Sequence, residues 1–272
     1  MLVFQVDGSH KAVDTLQHYM RICKLHLGDY WVLKCDVKKY FYSIDRTILF
    51  QIMKRYITDK KLLEFTKHLI CDNRNDLIGI PIGNYTSQFF ANIYLNELDQ
   101  YIKNVLKVKY YVRYMDDFVL LLKDKATCKT LKQQIETFLA EKLHLELNHK
   151  SRYYPSAQGV NFCGYRIWPT HRLLRTRSKR KIKTKIKKWN KIWRENKLDF
   201  SIAMPSLQSW LGHASHANSY FITQKVLNQA EFVYHENKEY PCYDDFDLSF
   251  NDCLKCEFLD DDDFKNLLTP KF

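Results

Sequence analysis

The stretch "RYMDDFVLLL" at residues 113–122 places two adjacent aspartates between two apolar and aromatic runs. Both runs, "YYVRYM" before the pair and "FVLLL" after it, are rich in residues that favour the half-buried surface of a strand. Two such runs with a tight connection predict a β-hairpin with Asp116 and Asp117 at or beside its bend. An Asp-Asp pair is also common in a solvated turn, because Asp tolerates turn geometry and bonds its own backbone. The rest of the chain has to distinguish these alternatives.

The other segments predict an alternation of strands and helices. "YWVLKCDVKKYFYSID" predicts a strand that ends near Asp36, after which Asp45 caps a helix. Downstream of a glycine-containing loop, a long helix capped by Thr86 or Ser87 is expected before the hairpin. An amphipathic helix over 131–139, a strand at "LHLELN" and a final pair of strands at "VNFCGYRIW" and "HRLLR" follow. This order predicts an α+β architecture.

Three carboxylates would meet if the strand that carries Asp36 were a neighbour of the hairpin. Asp36, Asp116 and Asp117 would then repel one another, and at least one would be driven towards protonation. Divalent cations remove this conflict, and two of them about 3.5–4 Å apart can activate an attacking hydroxyl and stabilise a leaving phosphate oxygen. Mg²⁺ suits such a site because it prefers hard oxygen ligands. The spacing therefore favours a magnesium site.

Length and composition narrow the class of protein. At 272 residues, with 46% hydrophobic residues, the chain can bury a sizeable core and is not a disordered protein. It has no apolar run of membrane-spanning length, and "MLVFQVDGSH" lacks the features of a signal peptide. A soluble, cytoplasmic protein with reduced cysteines is expected. A zinc site at Cys253 and Cys256, with His235 and Cys242 upstream, is a less favoured alternative because a second well-spaced pair is missing.

The charge is large and unevenly distributed. A net charge of +12 points to a polyanionic partner. Residues 171–197 hold 13 Lys or Arg against one Glu, whereas residues 236–265 hold 11 Asp or Glu against 3 Lys. The basic block and the acidic segment are therefore expected to belong to different parts of the protein.

Apolar residues recur at helical spacing through the basic block. They are Ile182, Ile186, Trp189 and Trp193. One face of the predicted helix therefore packs, while the other carries dense positive charge. A nucleic-acid backbone is the expected ligand of the charged face. The lysines expected to contact it are Lys183, Lys187 and Lys191. A solvated basic helix is the alternative.

Five segments resemble the motifs of reverse transcriptases, in that family's order, over about residues 30–170. "YMDD" on a hairpin resembles the catalytic box, and "DVKKYFYSID" resembles the first aspartate motif. "GIPIGNYTSQFFANIYLNELD" is similar to the loop and helix that follow, "LELNHKS" to the motif with a lysine near the triphosphate, and "VNFCGYRIW" to the primer-grip hairpin. "SWLGHASHANSYF" looks like the thumb of bacterial members. The resemblance implies a palm, an antiparallel sheet with helices packed on one face, followed by a helical thumb.

The resemblance also assigns catalytic roles by motif position. It makes Asp36, Asp116 and Asp117 the ligands of two Mg²⁺ ions, with help from the Val37 carbonyl. Lys150 would neutralise or protonate the leaving pyrophosphate, a general-acid role. Judged without the motif order, Lys150 would be an ordinary surface lysine.

Further residues would bind the incoming deoxynucleoside triphosphate. The resemblance places the backbone amides of Lys39 and Tyr40 at the triphosphate and the ring of Phe41 under the sugar, where a 2′-hydroxyl would clash. Ile82 and Gly83 would line the pocket for the base and sugar. Judged without the motif order, Phe41 and Ile82 would be ordinary core residues.

Two departures from the family pattern are visible. "IGNYTSQ" has Ile-Gly…Ser-Gln where most reverse transcriptases have Gln-Gly…Ser-Pro. This departure resembles the enzymes of diversity-generating retroelements, although related bacterial lineages share parts of it. Only about 30 residues precede the first aspartate motif, and "DGSHKAVDTLQHY" looks like the end of the fingers. We therefore expect truncated fingers, or an accessory protein subunit that supplies the missing surface.

These observations lead to one expected organisation and function. Residues 1–170 would form the palm with partial fingers, residues 171–235 a basic helical thumb, and residues 236–272 an acidic tail. The chain would extend a DNA or RNA primer on an RNA template with deoxynucleoside triphosphates, in a retroelement of the diversity-generating type. The alternatives are a retron or group II intron-type reverse transcriptase, and a catalytically silent RNA-binding palm. No membrane partner is expected.

Overall fold

The computed structural model describes residues 8–71, 77–81 and 83–233. The described residues divide into two compact units, the first containing those from 8 to 163 together with 167–170, and the second containing 164–166 and 171–233. Ile82, the predicted acidic tail and the alternative zinc site at Cys253 and Cys256 lie outside the described residues.

The first unit is built on a four-stranded antiparallel sheet in the order β2-β3-β1-β4. A further short strand, β5, follows β4 along the chain. The strands of this unit are β1 (Trp31–Asp36), β2 (Tyr111–Tyr114), β3 (Asp117–Leu122), β4 (Arg152–Pro155) and β5 (Val160–Phe162). The hairpin predicted from "RYMDDFVLLL" is β2–β3, and the strand that carries Asp36 is its direct neighbour.

Six helices accompany this sheet. They are α1 (Gly8–Leu27), α2 (Tyr40–Ser43), α3 (Arg46–Lys54), α4 (Lys60–Cys71), α5 (Tyr85–Gln100) and α6 (Lys125–Leu143). A π-helical turn continues α5 over Tyr101–Val105, and a 3-10 turn spans Ser156–Gln158.

The main core lies between one face of the sheet and helices α3, α5 and α6. Leu33 and Cys35 of β1 and Leu120 of β3 are fully buried there, together with Tyr94 of α5 and Leu139 of α6. Strand residues two apart point to the same face, so the alternation along β1 and β3 produces this apolar surface. The expected α+β fold with helices on the sheet is confirmed. In addition, α1, from the segment that resembles the end of the fingers, lies against β2 and β3.

Local signals predicted some helix boundaries and missed others. Asp45 caps α3 as expected, because its side chain accepts the backbone N–H groups of Thr47 and Ile48. Helix α5, however, begins directly after Asn84 rather than at Thr86 or Ser87. Those two residues therefore lie inside its first turn.

The strand predictions after α6 need two corrections. "LHLELN" is not a strand: it contributes only an isolated bridge between Leu147 and Val37, and β4 is the strand that pairs with β1 on the side away from β3. "VNFCGYRIW" is not one strand, because the chain turns at Cys163 and Gly164, both of which have positive φ. β5 and β6 are the two resulting pieces.

Two short strands and three helices are described in the second unit, although Ile167, the last residue of the first of these strands, belongs to the first unit. They are β6 (Tyr165–Ile167), β7 (Arg172–Leu174), α7 (Thr176–Arg194), α8 (Phe200–Ser215) and α9 (Tyr220–Leu227). The helical spacing predicted in the basic block is confirmed, because Ile182, Ile186 and Trp189 of α7 are buried in a core with residues of α8 and α9. None of the helices in the described parts of the chain is both long and apolar enough to cross a membrane.

Candidate active site

Asp36 and Asp117 are directly opposite each other in neighbouring strands. Asp36 is the last residue of β1, Asp117 is the first residue of β3, and the antiparallel register pairs them. Directly opposed residues project from the same face with Cβ atoms about 4.5–5.5 Å apart, and like charges in such a pair are destabilising. The sheet thus brings two carboxylates together at one end and leaves them in need of positive charge.

Asp116 lies in the tight turn that joins β2 to β3. Met115, just before it, has a φ of 56°, a left-handed conformation that is uncommon for a residue other than glycine. The amide of Val37 donates to the Asp116 carbonyl at 3.3 Å. This bond continues the pairing of β1 past Asp36, so the turn is held beside the end of β1.

Lys34 of β1 forms an ion pair with Asp117. Its Nζ donates to Asp117 Oδ2 at 2.7 Å and also to the carbonyl of Asn161 in β5. The side chains of Lys34 and Asp117 are 24% and 28% exposed. Because Lys34 pairs with Val119 in the register, Asp117 is its diagonal neighbour on the same face, within reach of a long side chain.

A loop after α6 surrounds Asp36 on its other side. Asn148 donates its Nδ2 to Asp36 Oδ2 at 2.9 Å, and its backbone N–H donates to the Asp36 carbonyl at 2.7 Å. Ser151 donates its Oγ to that carbonyl and accepts the Asp36 amide at 3.1 Å. Lys150 lies on the same loop with an exposed side chain, and its amide donates to Asn148 Oδ1. The predicted general acid is thus carried by a loop that is bound to Asp36.

Burial and mutual repulsion raise the pKa values of Asp116 and Asp117. Burial raises the pKa of Asp117 to about 6, with smaller contributions from Asp36 and Asp116, while the Lys34 ammonium acts in the opposite direction. The pKa of Asp116 is also raised, again mainly by burial and then by the charge of Asp36. Both carboxylates are therefore costly to keep ionised without a further cation.

The carboxylate oxygens at this end of the sheet are suitable ligands for a divalent cation. Asp36, Asp116 and Asp117 supply hard carboxylate oxygens, and Oδ1 of Asp117 is buried without a hydrogen-bond partner. Within the described ranges, no group of three or more His, Cys, Asp or Glu side chains is arranged so that it could hold a metal ion as it stands. In the structure, Lys34 binds one oxygen of Asp117, and Asn148 binds one oxygen of Asp36.

A buried ion pair stabilises the turn that contains Asp116, which we call the aspartate turn. Arg113 of β2 donates its Nε to Asp99 Oδ1 at 2.8 Å and its Nη2 to Asp99 Oδ2 at 2.5 Å. Its Nη1 donates to the Met115 carbonyl at 2.9 Å. Both side chains of the pair are almost fully buried, at 6% and 4% exposure. Arg113 therefore links helix α5 to the residue that precedes Asp116.

The predicted nucleotide-binding residues follow β1 directly. Val37 is buried, whereas Lys39 is exposed and has a left-handed backbone with a φ of 46°. Tyr40 is buried, and its hydroxyl donates to the Ala91 carbonyl at 2.5 Å. Phe41 is half-buried against the main core and edge-on to Tyr40. The path of the chain thus keeps these four residues next to Asp36.

Gly83 is the described part of the predicted base and sugar pocket, since Ile82 lies outside the described residues. Gly83 has a φ of 101°, and a Cβ atom added there would meet nothing within 4 Å. Glycine is therefore favoured here by its positive φ, and not by a lack of space for a side chain.

The predicted nucleic-acid contacts lie on α7 in the second unit. Lys187 and Lys191 are exposed, and Lys183 is half-buried. Lys185, which the sequence analysis did not select, is engaged within the unit, because its Nζ donates to Ser206 Oγ at 2.6 Å. Of the three lysines predicted to contact nucleic acid, Lys187 and Lys191 are therefore the more exposed.

A family model described as "Reverse transcriptase (RNA-dependent DNA polymerase)" matches residues 4–167. The chain belongs to the reverse transcriptase family. The match covers nearly all of the first unit, including the three aspartates and the loop that carries Lys150. Divalent metal ions are used generally in this family, in agreement with the donor set described above.

Curated relatives include proteins of bacterial origin. The chain is 27% identical to Protein YkfC of Escherichia coli, covering 61% of this chain and 54% of YkfC. It is 26% identical to the group II intron-encoded protein LtrA of Lactococcus lactis, covering 52% of this chain and 35% of LtrA. The chain thus spans about half of one relative and about a third of the other.

Solved structures with a similar fold include two telomerases. Telomerase from Candida albicans, in complex with the TWJ fragment of telomeric RNA, aligns with a TM-score of 0.55 at 13% identity over 84% of this chain and 43% of its own. Apo telomerase from Candida tropicalis aligns with a TM-score of 0.53 at 12% identity, over 84% and 50%. At these identities the likeness concerns the fold.

Several residues of the site were missed in the sequence. Lys34 had a readable signal, because strand alternation puts it on the same face as Asp36, two residues away. Arg113 is a charge within an apolar strand and so requires a partner, although nothing in the sequence identifies Asp99 as that partner. Asn148 had only its nearness to Lys150 to mark it.

Proposed function

We propose that this protein is an RNA-directed DNA polymerase that extends a primer 3′ end on an RNA template. The observation that carries the proposal is the cross-strand pair of Asp36 and Asp117, beside the turn that holds Asp116. Two carboxylates opposed in this way are unfavourable in a structural sheet, whereas a phosphoryl-transfer site that recruits cations requires them. Membership of the reverse transcriptase family supports the same activity.

The three aspartates are proposed to hold two Mg²⁺ ions, with the Val37 carbonyl as an additional ligand. When bound, the ions supply Lewis-acid activation of the primer hydroxyl and stabilisation of the charge that develops on the phosphates. The acceptors for these ions are the carboxylate oxygens at the end of β1 and at the start of β3. Asn148 and Ser151 orient the Asp36 end of this set through the hydrogen bonds described above.

The protein's own residues bind and orient the reactants. The primer 3′-hydroxyl releases its proton to water, its oxygen forms a bond to the α-phosphorus of the deoxynucleotide, and the bond to the pyrophosphate oxygen breaks. Lys150 is proposed to give a proton to that leaving oxygen, because its exposed side chain extends from the loop bound to Asp36. The amides of Lys39 and Tyr40 are proposed to bind the triphosphate, and Gly83 with Ile82 to line the base and sugar pocket.

The template and primer are proposed to bind the basic helix of the second unit. Helix α7 contains no acidic residue, and its apolar side packs into the unit's core, which leaves lysines such as Lys187 and Lys191 exposed. Phosphate contacts of this kind bind without reading sequence. The proposed domain organisation is a palm with partial fingers, a thumb and an acidic tail. An accessory protein subunit is proposed to supply further template contacts.

The lineage is proposed from two different observations. The Ile-Gly…Ser-Gln departure supports an enzyme of a diversity-generating retroelement, in which Ile82 replaces the usual Gln. The group II intron-encoded relative LtrA favours a second candidate, an intron-type reverse transcriptase. Both candidates share the polymerase chemistry, and they differ in the fidelity expected from Ile82.

Primer extension by the purified chain tests the activity. We expect Mg²⁺-dependent addition of deoxynucleotides to a DNA primer annealed to RNA, and no extension by Asp116→Asn, because the loss of one carboxylate charge weakens cation binding. The matched control is Asp124→Asn, which alters the N-cap of α6 elsewhere in the same unit. Extension by Asp116→Asn at the wild-type rate would refute the metal assignment. RNA binding by the wild type without any extension would favour the catalytically silent palm.

A further inference from the structure

Lys34 binds a carboxylate oxygen of Asp117, one of the three aspartates that the proposed function assigns to the metal ions. Its ammonium contacts Asp117 Oδ2 at 2.7 Å and the Asn161 carbonyl, and it lies 5.9 Å from the centroid of the Phe162 ring. The other nearby buried cation, Arg113, is already paired with Asp99. Lys34 is therefore the counter-charge that the opposed carboxylates use in the structure as it stands.

With this pair formed, neither oxygen of Asp117 is available to a hydrated cation. Oδ2 is bound to Lys34, and Oδ1 is buried with no hydrogen-bond partner in the described parts of the chain. Cation binding by Asp117 must therefore break or loosen the bond to Lys34.

We propose that Lys34 is a built-in competitor of the divalent cation at Asp117, holding this carboxylate in the metal-free protein and releasing it when a cation binds. The inference rests on the proposed metal-binding function. A lysine suits this role because its compact ammonium sits on a flexible four-carbon stem and can move without the backbone. The Asn161 carbonyl and the Phe162 ring are contacts that the ammonium can keep after Asp117 is released.

The competition has two thermodynamic consequences. Because the cation can bind only the fraction of molecules in which Asp117 is released, the pair lowers the apparent cation affinity. Because the pair relieves repulsion between the carboxylates, it stabilises the metal-free protein. Removal of the Lys34 charge should therefore strengthen cation binding and weaken the metal-free fold at the same time. A residue with only a structural role would do the second and not the first.

The test compares Lys34→Met with a matched control, Lys132→Met. Lys132 has a similar exposure, 28%, and pairs with Glu136 on α6. Mn²⁺ binding is measured by electron paramagnetic resonance at pH 8.0, and thermal unfolding is measured in EDTA and in saturating Mn²⁺. We expect Lys34→Met to bind Mn²⁺ about tenfold more tightly than wild type, equivalent to about 1.4 kcal/mol. Lys132→Met and the charge-conserving Lys34→Arg should remain near wild type.

The unfolding temperatures give an independent readout. Lys34→Met should unfold at a lower temperature than wild type in EDTA, and saturating Mn²⁺ should reduce that difference. An unchanged or weaker Mn²⁺ affinity, or a difference in unfolding temperature that Mn²⁺ leaves untouched, would overturn the competition. Should Lys34→Met not fold, Lys34→Gln takes its place, because it is neutral and still offers a donor to the Asn161 carbonyl.

Asp117→Asn separates this inference from the function on which it rests. If Asp117→Asn loses Mn²⁺ binding while Lys34→Met matches wild type, Asp117 is a ligand and only the competition is wrong. If wild type and Asp117→Asn bind Mn²⁺ equally, the metal assignment itself is wrong, and the competition falls with it.

Discussion

The guanidinium of Arg113 and the carboxylate of Asp99 form a buried, two-bond ion pair that ties the aspartate turn to helix α5. The same guanidinium donates to the Met115 carbonyl and, at 3.2 Å, to Asn92 Oδ1. Tyr111 adds a hydrogen bond from its hydroxyl to Asp99 Oδ1 at 2.6 Å. The left-handed Met115 is thus held from inside the protein, which fixes where the chain enters Asp116.

Removal of the charge of Asp99 should therefore destabilise the protein strongly. Asp99→Asn leaves the Arg113 guanidinium buried without a counter-charge, and a broken buried pair of this kind costs about 3–5 kcal/mol of the free energy of unfolding. Urea unfolding of the purified protein measures the loss. The matched control is Glu97→Gln on the same helix, whose partner Arg55 is 55% exposed. We expect that control to lose less than about 1 kcal/mol, and equal losses in the two variants would contradict the importance of the buried pair.

The parts of the fold that depend on local chemistry were readable in the sequence. Runs of residues that favour strands predicted β1 and the β2–β3 hairpin, and the acidic cap Asp45 predicted α3. These signals act between residues close in the chain, such as Asp45 and the amides of Thr47 and Ile48. The convergence of Asp36 with the hairpin needed one more assumption, that the two strands pair, and the register confirms the pairing.

The missed features depend on partners that are distant in the chain. "LHLELN" has the alternation of a strand, but only Leu147 bridges to Val37, and β4 takes the place beside β1. Lys34 looked like an ordinary strand lysine because its partner Asp117 lies 83 positions away. Hydrophobic periodicity identifies which face of an element is buried, but it does not identify the polar partners that meet across elements.

Phe41→Ala should allow the enzyme to use ribonucleotides. The ring is half-buried beside Tyr40, and the Phe41 carbonyl accepts the amide of Ile80 at 2.8 Å, which fixes this segment. Loss of the ring volume should reduce the preference for deoxynucleotides by about 10–200-fold, the range associated with the loss of shape contacts in a pocket. Steady-state incorporation of matched ribo- and deoxynucleotides measures the change.

Tyr42→Ala is the control for this prediction, because Tyr42 is adjacent and 66% exposed. It should leave the preference for deoxynucleotides unchanged. A Phe41→Ala variant that folds, extends primers and still rejects ribonucleotides would show that another residue excludes the 2′-hydroxyl.

Neutralising Lys183, Lys187 and Lys191 should reduce the salt dependence of binding to an RNA–DNA duplex. Each phosphate contact that is lost should lower the slope of log K against log salt by about 0.9. We expect most of the effect from Lys187 and Lys191, because Lys183 is half-buried. A triple change to Gln at exposed lysines of the first unit serves as control. Its positions are Lys123, Lys129 and Lys142. The same slope in wild type and the α7 variant would mean that the basic face is only solvated.

Ile82 should make the polymerase error-prone, and Ile82→Gln should make it more accurate. A Gln at this position can hydrogen-bond the incoming nucleotide or the loop around it, and so penalise misaligned pairs. Ile offers only apolar contact, and an apolar surface distinguishes ligands of similar shape by only about 1–3 kcal/mol. Resemblance to the enzymes of diversity-generating retroelements adds the expectation that errors concentrate opposite template adenines. The measurement is sequencing of cDNA made by both proteins on one template, with any required partner present.

The matched control for the fidelity measurement is Ile78→Gln, an equivalent change at an exposed position before the same loop. It should leave the error rate unchanged, because Ile78 belongs to the bridge with Asp45 rather than to the proposed pocket. Equal error rates for wild type and Ile82→Gln would remove Ile82 from the mechanism of fidelity. An accurate wild type would go further, because the apolar substitution would then carry no cost in fidelity, and the group II intron-type lineage favoured by the relative LtrA would replace the diversity-generating one.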